Sequence, residues 1–436
     1  MKSTGDSANG RRRRVVITGM GVLSSIGNGV GPFTNALRAG RAGTTDITRF
    51  DTRDFPQRRG HQVADYKPGD WIHNLPLEEV GPATGFAIAA ARMALSDAGT
   101  TASELHMRRR GFIAVGTTDG GVPDLDGIVE TVLPGGLEDM PATLARRVPA
   151  SQLSVHLARE LGLRDVEAIT IATACAAGNY AIGAGLDAVR SGEADYALVG
   201  GADVLCRKTL AGFTRLGLVA EEECRPFDAG RDGLLLGEGA GMLLLEDADS
   251  ARARGARVYA EVMGYGLNCD AHHPVAPERE SVARCMRLAL DDAGISPEDV
   301  DLVCAHGTGT ETNDITEVQA MHDVFGAQLP RATAVKSMIG HTMGAASALG
   351  AVAGALAIHH GFVPPTANHR HTDPECAVDC TPNRSVEADV RIVQNSALAF
   401  GGNNAVLVLG SPDGERTPPG ARNPDHERMA QEEQPC

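Results

Sequence analysis

The sequence predicts a layered α/β protein, and three observations carry that expectation. Short apolar runs that read as buried strands alternate with small-residue segments of helical period. Glycine is abundant at 52 residues, aromatic residues make up only 4%, and tryptophan occurs once, a balance suited to layers whose backbones approach closely. The same strand–helix–strand grammar runs through both halves, which hints at an internal duplication without a fixed short repeat.

Each element has its own warrant. The first strand is expected at residues 15–18, after an arginine run at 11–14. That run with VVITGMGVLSSIG mimics a secretory leader, but Gly19, Gly21 and two serines break the apolar stretch, so a polar leader followed by a strand is the better reading. A helix is expected at 86–98, closed by Gly99, and a buried strand at 111–115. Residues 168–172 read as a strand, 176–190 as a helix ended by Ser191 and Gly192, and 196–199 and 241–245 as further strands. In the second half a helix is expected at 281–293, a strand at 302–305 and an alanine-rich helix at 345–359. Residues 396–400 lead into a Gly-Gly turn and a last strand at 405–409. The ends, 1–10 and 411–436, lack apolar periodicity and are expected to be disordered. The charged stretch 246–257 is the expected seam between halves.

Composition excludes several functions. No uninterrupted apolar run reaches the ~18 residues of a membrane-spanning helix. Forty basic against 56 acidic residues give a net charge of −16, which disfavours nucleic acid as a partner. Nine cysteines spread over 436 residues do not make a disulfide framework, and reduced thiols in a cytoplasm are expected. Cys206, Cys269, Cys285 and Cys304 read as small core fillers, and Cys224, Cys376 and Cys380 as loop residues. The Cys376-x-x-x-Cys380 pair has no second pair to complete a metal site.

Cys175 stands apart. It follows a strand and opens a helix rich in small residues, where unpaired N–H groups and the positive helix end favour a thiolate. The same turn can offer an oxyanion donor. A packed core cysteine is the alternative on local pattern alone. His306 ends an apolar strand before Gly-Thr-Gly-Thr, and His341 precedes the alanine-rich helix. Lys336, five residues before His341, is positioned to face the same pocket, with a solvated surface lysine as the alternative. Glu317 reads as the beginning of a helix, available to pair with Lys336 or to cap the helix. The pairs His272-His273 and His359-His360, and His369 with His371, have no metal-type spacing.

Together TACAAG at Cys175, AHGTGTETND at His306, KSMIGH at His341 and AFGGNN at Phe400 resemble the condensing enzymes of fatty-acid and polyketide synthesis. The resemblance is to β-ketoacyl-[acyl-carrier-protein] synthase II and the discrete ketosynthases of type II polyketide systems. RPFDAGRDGLLLGEGAGMLLLE at residues 225–246 extends it, and it covers roughly nine-tenths of the chain. It implies the thiolase fold, two similar α/β halves in five layers (αβαβα), with a leader at 1–14, halves at 15–250 and 251–410, and a tail at 411–436. It further implies a Cys175, His306 and His341 triad, support from Lys336 and Glu317, and an oxyanion hole from the N–H groups of Cys175 and Phe400. Thr308 and Thr310 fall where the family holds the phosphopantetheine arm, and Phe400 and Leu398 fall at its gate. Neither a cofactor nor a metal is implied. The implied partners are an acyl carrier protein and, in a homodimer or heterodimer, a second subunit resembling a chain-length factor.

The chain departs from the family pattern at three places. Leu398 stands where a first gating phenylalanine is common. LPLEEVGPATGF replaces a basic run before the helix at 86, leaving Arg207, Lys208 and Arg215 as the candidate basic patch for an acidic carrier. Ser347 replaces a frequent glycine, and the sequence offers no reading of it. The first two departures point toward secondary metabolism. The competing readings are housekeeping fatty-acid elongation, a non-elongating chain-length subunit, a biosynthetic thiolase and a papain-like hydrolase. A thiolase needs a second cysteine where AFGGNNA has none; a non-elongating subunit typically lacks the nucleophile that Cys175 supplies; a hydrolase leaves the second histidine idle.

Overall fold

A computed structural model of the chain describes residues 13–107, 110–118 and 120–412. The rest of the expected leader and tail, with Cys436, lies outside the described residues. Ten strands build the sheet system: β1 (Val15–Leu23), β2 (Gly111–Gly116), β3 (Val166–Ile171), β4 (Tyr196–Asp203), β5 (Gly239–Asp247), β6 (Ala260–Cys269), β7 (Leu302–Cys304), β8 (Arg331–Thr333), β9 (Ile392–Leu398) and β10 (Asn403–Gly410). Their spatial order is β1-β5-β4-β2-β3 in the first half and β6-β10-β9-β7-β8 in the second. Raising each number of the first series by five yields the second. The directions repeat as well: in each half the first three strands pair antiparallel and the last three parallel. The duplication hinted at by the sequence is therefore present strand for strand. The halves join where Val16 and Ile17 of β1 pair with Glu261 and Ala260 of β6.

Helices complete the five layers. Outside the first sheet lie α1 (Pro82–Asp97) and α2 (Gln152–Leu161). Between the sheets lie α3 (Ala177–Ser191) and, from the second half, α6 (Ala346–His360). Outside the second sheet lie α4 (Arg279–Ala293) and α5 (Glu311–Phe325). The central helices touch strands of both sheets. Each is preceded by one three-residue 3-10 turn, Ala174–Ala176 before α3 and Met343–Ala345 before α6. Ala174 and Met343, first in their turns, both adopt left-handed backbone at φ +50° and +52°. Cys175 and Gly344 are thus equivalent positions of the duplication.

Glycines in β1 explain how tightly the first two layers pack. A Cβ on Gly21 would lie 1.8 Å from the carbonyl oxygen of Ala90, and one on Gly19 would lie 2.2 Å from that of Ala94. α1 therefore lies backbone against backbone on β1, which runs past Gly19 and Gly21 to Leu23 rather than stopping at residue 18. α1 also starts earlier than expected, at Pro82, because proline is preorganised for the first helical position.

Other expectations need correction. The segment Met343–His360 is long and apolar enough to cross a membrane by mean hydropathy, yet 89% of it is buried between the sheets, as an all-apolar core helix should be. Glu317 lies in the second turn of α5, not at its start. Cys269 is exposed at the end of β6, whereas Cys224, Cys376 and Cys380 are buried. Helices at Val122–Gly135, Gln152–Leu161 and Arg207–Arg215 were not expected.

The β1–α1 contact is testable. Gly21→Ala is expected to destabilise the protein by about 1–3 kcal/mol, since two backbones must separate to admit one methyl group. Gly69→Ala, whose Cβ meets nothing within 4 Å, is the control. Urea unfolding reads the difference, and equal midpoints for the two variants would contradict the packing argument.

Candidate active site

β3 carries the chain to the Ala174–Ala176 turn, and the left-handed Ala174 swings Cys175 to the head of α3. A non-glycine residue held in that conformation stores strain of about 1–3 kcal/mol, the kind of distortion that clusters at functional sites. Cys175 is 4% exposed. Its Sγ and one ring nitrogen from each of His306 and His341 lie within 4.8 Å of one another, and the two imidazoles meet edge to face at 5.7 Å. The structure thus brings together the three residues that the sequence singled out.

Hydrogen bonds assign the tautomers. His341 Nδ1 accepts from the Met343 N–H at 3.1 Å. His306 Nδ1 faces the Lys336 ammonium at 3.3 Å, and an ammonium only donates. In both rings Nε2 therefore carries the proton and is a donor. Burial and the Lys336 charge hold both histidines well below their usual pKa, so they are neutral at physiological pH. The same pattern argues against a metal at this cluster. A metal-bound histidine donates its second N–H to a carbonyl or carboxylate, and here both second nitrogens face donors.

Lys336 does not face the pocket beside His341; it lies behind His306, donating to that residue's carbonyl oxygen as well as to its ring. Its ammonium pKa is lowered by burial, against the pull of Glu317. Glu317 does not contact Lys336 directly as expected. Its carboxylate accepts from the N–H groups of His306 at 2.7 Å and Gly307 at 2.8 Å, which clamps the His-Gly turn. Burial pushes Glu317 up to about 7, and those N–H groups and the Lys336 charge pull the other way.

The thiolate expected from the helix terminus is opposed by burial. Burial pushes the Cys175 thiol up to about 11, opposed by the Lys336 charge and by the N–H groups of Phe400 and of Cys175 itself. Those two backbone groups thus lie beside the sulfur. On either side of Phe400 the N–H groups are engaged, Ala399 with Asn403 and Gly401 with Pro274.

A cavity of about 440 Å³ opens onto the sulfur, lined among others by Thr308, Thr310, Leu398 and Phe400. The Thr308 and Thr310 hydroxyls are 2.8 Å apart, held on a loop whose Gly307 and Gly309 adopt positive φ. Leu398 is buried in the outer core of the second half, in the cluster that also holds Val406 and Val408. The Phe400 ring stacks on Phe213 at 5.2 Å, so the wall that closes the site comes from helix Arg207–Arg215. That helix also carries the candidate basic patch. Arg207 is already paired with Asp54 at 3.2 Å and lies over Phe55, while Lys208 and Arg215 are exposed.

Sequence reasoning missed Phe213, for which no local signal exists, and His273, which lines the cavity mouth. It also missed Asn179 and Asn395. These two, with the uninterpreted Ser347, form a buried polar cluster joining α3, α6 and β9.

The β-ketoacyl synthase N-terminal domain model matches residues 12–251 and the corresponding C-terminal domain model matches residues 259–370. The 3-oxoacyl-[acyl-carrier-protein] synthase 2 of Staphylococcus aureus strain COL is 37% identical over 410 residues, covering 92% of this chain and 98% of that protein. The Coxiella burnetii protein of the same name is 35% identical over 409 residues, covering 91% and 98%. Among solved structures, a chain of the ishigamide ketosynthase/chain length factor is 58% identical, with a TM-score of 0.91 over 92% of this chain and 100% of that one. A ketosynthase in complex with its type II polyketide acyl-carrier protein is 30% identical, with a TM-score of 0.84 over 92% and 100%. With both domain models matched and the thiolase-type five-layer architecture in place, the chain belongs to the β-ketoacyl synthase family.

Proposed function

We propose that this chain elongates a carrier-bound polyketide chain by decarboxylative condensation on Cys175. The observation that carries the reading is the cluster at one sulfur: a ring nitrogen from each of two neutral histidines lies within 4.8 Å of Cys175 Sγ, in a cavity that also holds Phe400. In the first step the Cys175 sulfur attacks an acyl thioester, and the two backbone N–H groups hold the developing oxyanion. The thioester C–S bond breaks, and the proton of the Cys175 thiol leaves with the departing carrier thiol. In the second step a malonyl thioester loses CO2, and its enolate oxygen meets the histidine Nε2–H donors. The enolate carbon attacks the acyl-Cys175 carbonyl, and the cysteine sulfur is expelled and reprotonated. The product is a 3-ketoacyl thioester two carbons longer. Lys336 and Glu317 keep the His306 turn in place and set its field.

The acyl carrier protein is the proposed donor of both thioesters, as the names of the relatives indicate for those proteins. Thr308 and Thr310 are suited to hydrogen-bond the pantetheine arm in the cavity. The 58% identity to a ketosynthase/chain length factor chain, against 37% to a fatty-acid synthase relative, supports polyketide over housekeeping elongation. It also supports a second, chain-length-factor-like subunit. Buried free thiols such as Cys224, Cys285 and Cys304 fit a cytoplasmic setting.

Three outcomes test this reading. Wild-type protein given acyl and malonyl carriers is expected to form a labelled acyl-enzyme and a longer chain. Cys175→Ala should do neither, whereas His341→Ala should still take the label but condense about 100-fold more slowly. Chain extension by Cys175→Ala would remove the nucleophile assignment.

The empty enzyme should also show a steep pH dependence. With the thiol raised to about 11, the protonated form dominates at neutral pH. Iodoacetamide alkylation should therefore quicken about tenfold per pH unit between pH 7 and 9. A plateau below pH 8 would mean a resting thiolate.

Saturated medium and long acyl carriers should be poor substrates. Their efficient elongation would favour the fatty-acid reading instead.

A further inference from the structure

Ser347 has a structural reason that the sequence did not supply. It is the second residue of α6, and its hydroxyl oxygen accepts from the N–H of Asn179 at 3.1 Å. Asn179 is the third residue of α3, where a helix leaves its N–H groups without an internal acceptor. The cap that the nucleophile's helix lacks locally is therefore supplied from the other half of the molecule. The two helix starts touch closely enough that a Cβ on Gly178 would sit 2.8 Å from that same hydroxyl and 2.6 Å from the Ala348 nitrogen.

The bond does not stand alone. The Asn395 amide donates to Asn179 Oδ1 at 2.8 Å and to the Ser347 carbonyl at 2.9 Å. The Asn179 amide in turn donates to the Asn395 carbonyl at 3.1 Å and the Ala405 carbonyl at 3.0 Å. All three side chains are buried, and both asparagine amides have both hydrogens placed. The network links four elements: α3, which follows Cys175; α6, which follows His341; and β9 and β10, which flank the loop holding the Phe400 N–H. A satisfied buried network of this kind selects one arrangement over its neighbours, because any shift leaves a polar group unpaired.

We infer that Ser347 is a positioning residue: with Asn179 and Asn395 it sets the register of the Cys175 turn against the oxyanion donor at Phe400. The inference rests on the acyl-transfer reading above and adds a determinant to it. An isolated alkylation at sulfur builds no oxyanion, whereas acyl transfer does, so the two reactions report differently on that register.

The experiment measures both rates on Ser347→Ala and Ser347→Gly, with thermal midpoints recorded alongside. Acylation of Cys175 from an acyl carrier is expected to slow about tenfold. KM for the carrier and the iodoacetamide rate should change less than about twofold, at a temperature well below either midpoint. Adding Asn395→Ser to Ser347→Ala should cost little more, because the two residues act as one unit. Unchanged acylation in a folded variant overturns the inference, and so does an equal fall in acylation and alkylation, since that means the sulfur itself was disturbed. The glycine variant keeps the test open if alanine at 347 does not fold. Wild-type protein that alkylates but takes no acyl label would overturn the acyl-transfer reading and this inference with it, a result distinct from a variant that matches a labelled wild type.

Discussion

The structure depends on how closely two helices approach in its middle layer. α3 and α6 begin at equivalent places in the two halves, and their first turns meet where Gly178 faces Ser347 and Ala348. No larger residue fits at Gly178 without parting the halves. Because each helix is introduced by a turn whose first residue is left-handed, the residue after that is thrust toward the interface of the sheets. In the first half that residue is Cys175; in the second it is Gly344, pressed against the backbone of Thr117 and Thr118. One copy of the duplicated turn carries the nucleophile and the other supplies the close packing that encloses it.

That enclosure decides the electrostatics. A buried cation, Lys336, sits behind His306, and its field has two consequences of opposite use. It lowers the thiol's pKa against burial, and it keeps the neighbouring histidines from gaining protons. A protonated imidazole would place a second positive charge in the same dry volume, where like charges repel far more strongly than in water. The histidines are left as neutral donors with fixed tautomers, suited to an enolate oxygen, and poorly suited to act as bases at Nε2. Glu317 answers the lysine's charge from the far side of the His-Gly turn, clamping the backbone instead of forming an ion pair.

Much of this was legible in the sequence because it is local. Cys175, His306 and His341 each lie at an element boundary framed by small or hydroxylated residues, and boundaries of that kind have few structural uses. Glycines at 19 and 21 looked like breaks in a strand, but they mark the close approach of α1, a contact invisible without the partner helix. Lys336 and Glu317 were found by their motifs and do act on each other's charge, but that Glu317 clamps the His306 and Gly307 N–H groups was hidden, because sequence separation says nothing about which side of a turn a side chain approaches from. Phe213 and the Asn179–Asn395 pair carry no local signal at all. Their roles arise from residues far apart in the chain, where the two halves close on each other. The thiol's surroundings divide along the same line: the helix terminus is a local feature that favours the thiolate, whereas burial is a property of the whole fold and pushes the other way.

The same distinction bears on the chain's own charge. Net charge acts at long range and at −16 it opposes any acidic partner, but screening confines the field of exposed charges to about 8–10 Å at physiological salt. What counts is then the charge within that distance of the cavity mouth. Several arginines near the cavity are committed there: Arg231 to Asp373, Arg225 to Asp232 and Arg370 to Glu223. Arg207 is likewise held by Asp54 and by the face of Phe55. Helix Arg207–Arg215 carries Lys208 and Arg215 at the surface and, on its inner face, Phe213, the ring that stacks on Phe400. The same short helix thus bears surface cations on one side and, on its inner side, the ring that closes the nucleophile's chamber, so charge at the cavity mouth and closure of the chamber are carried by one element.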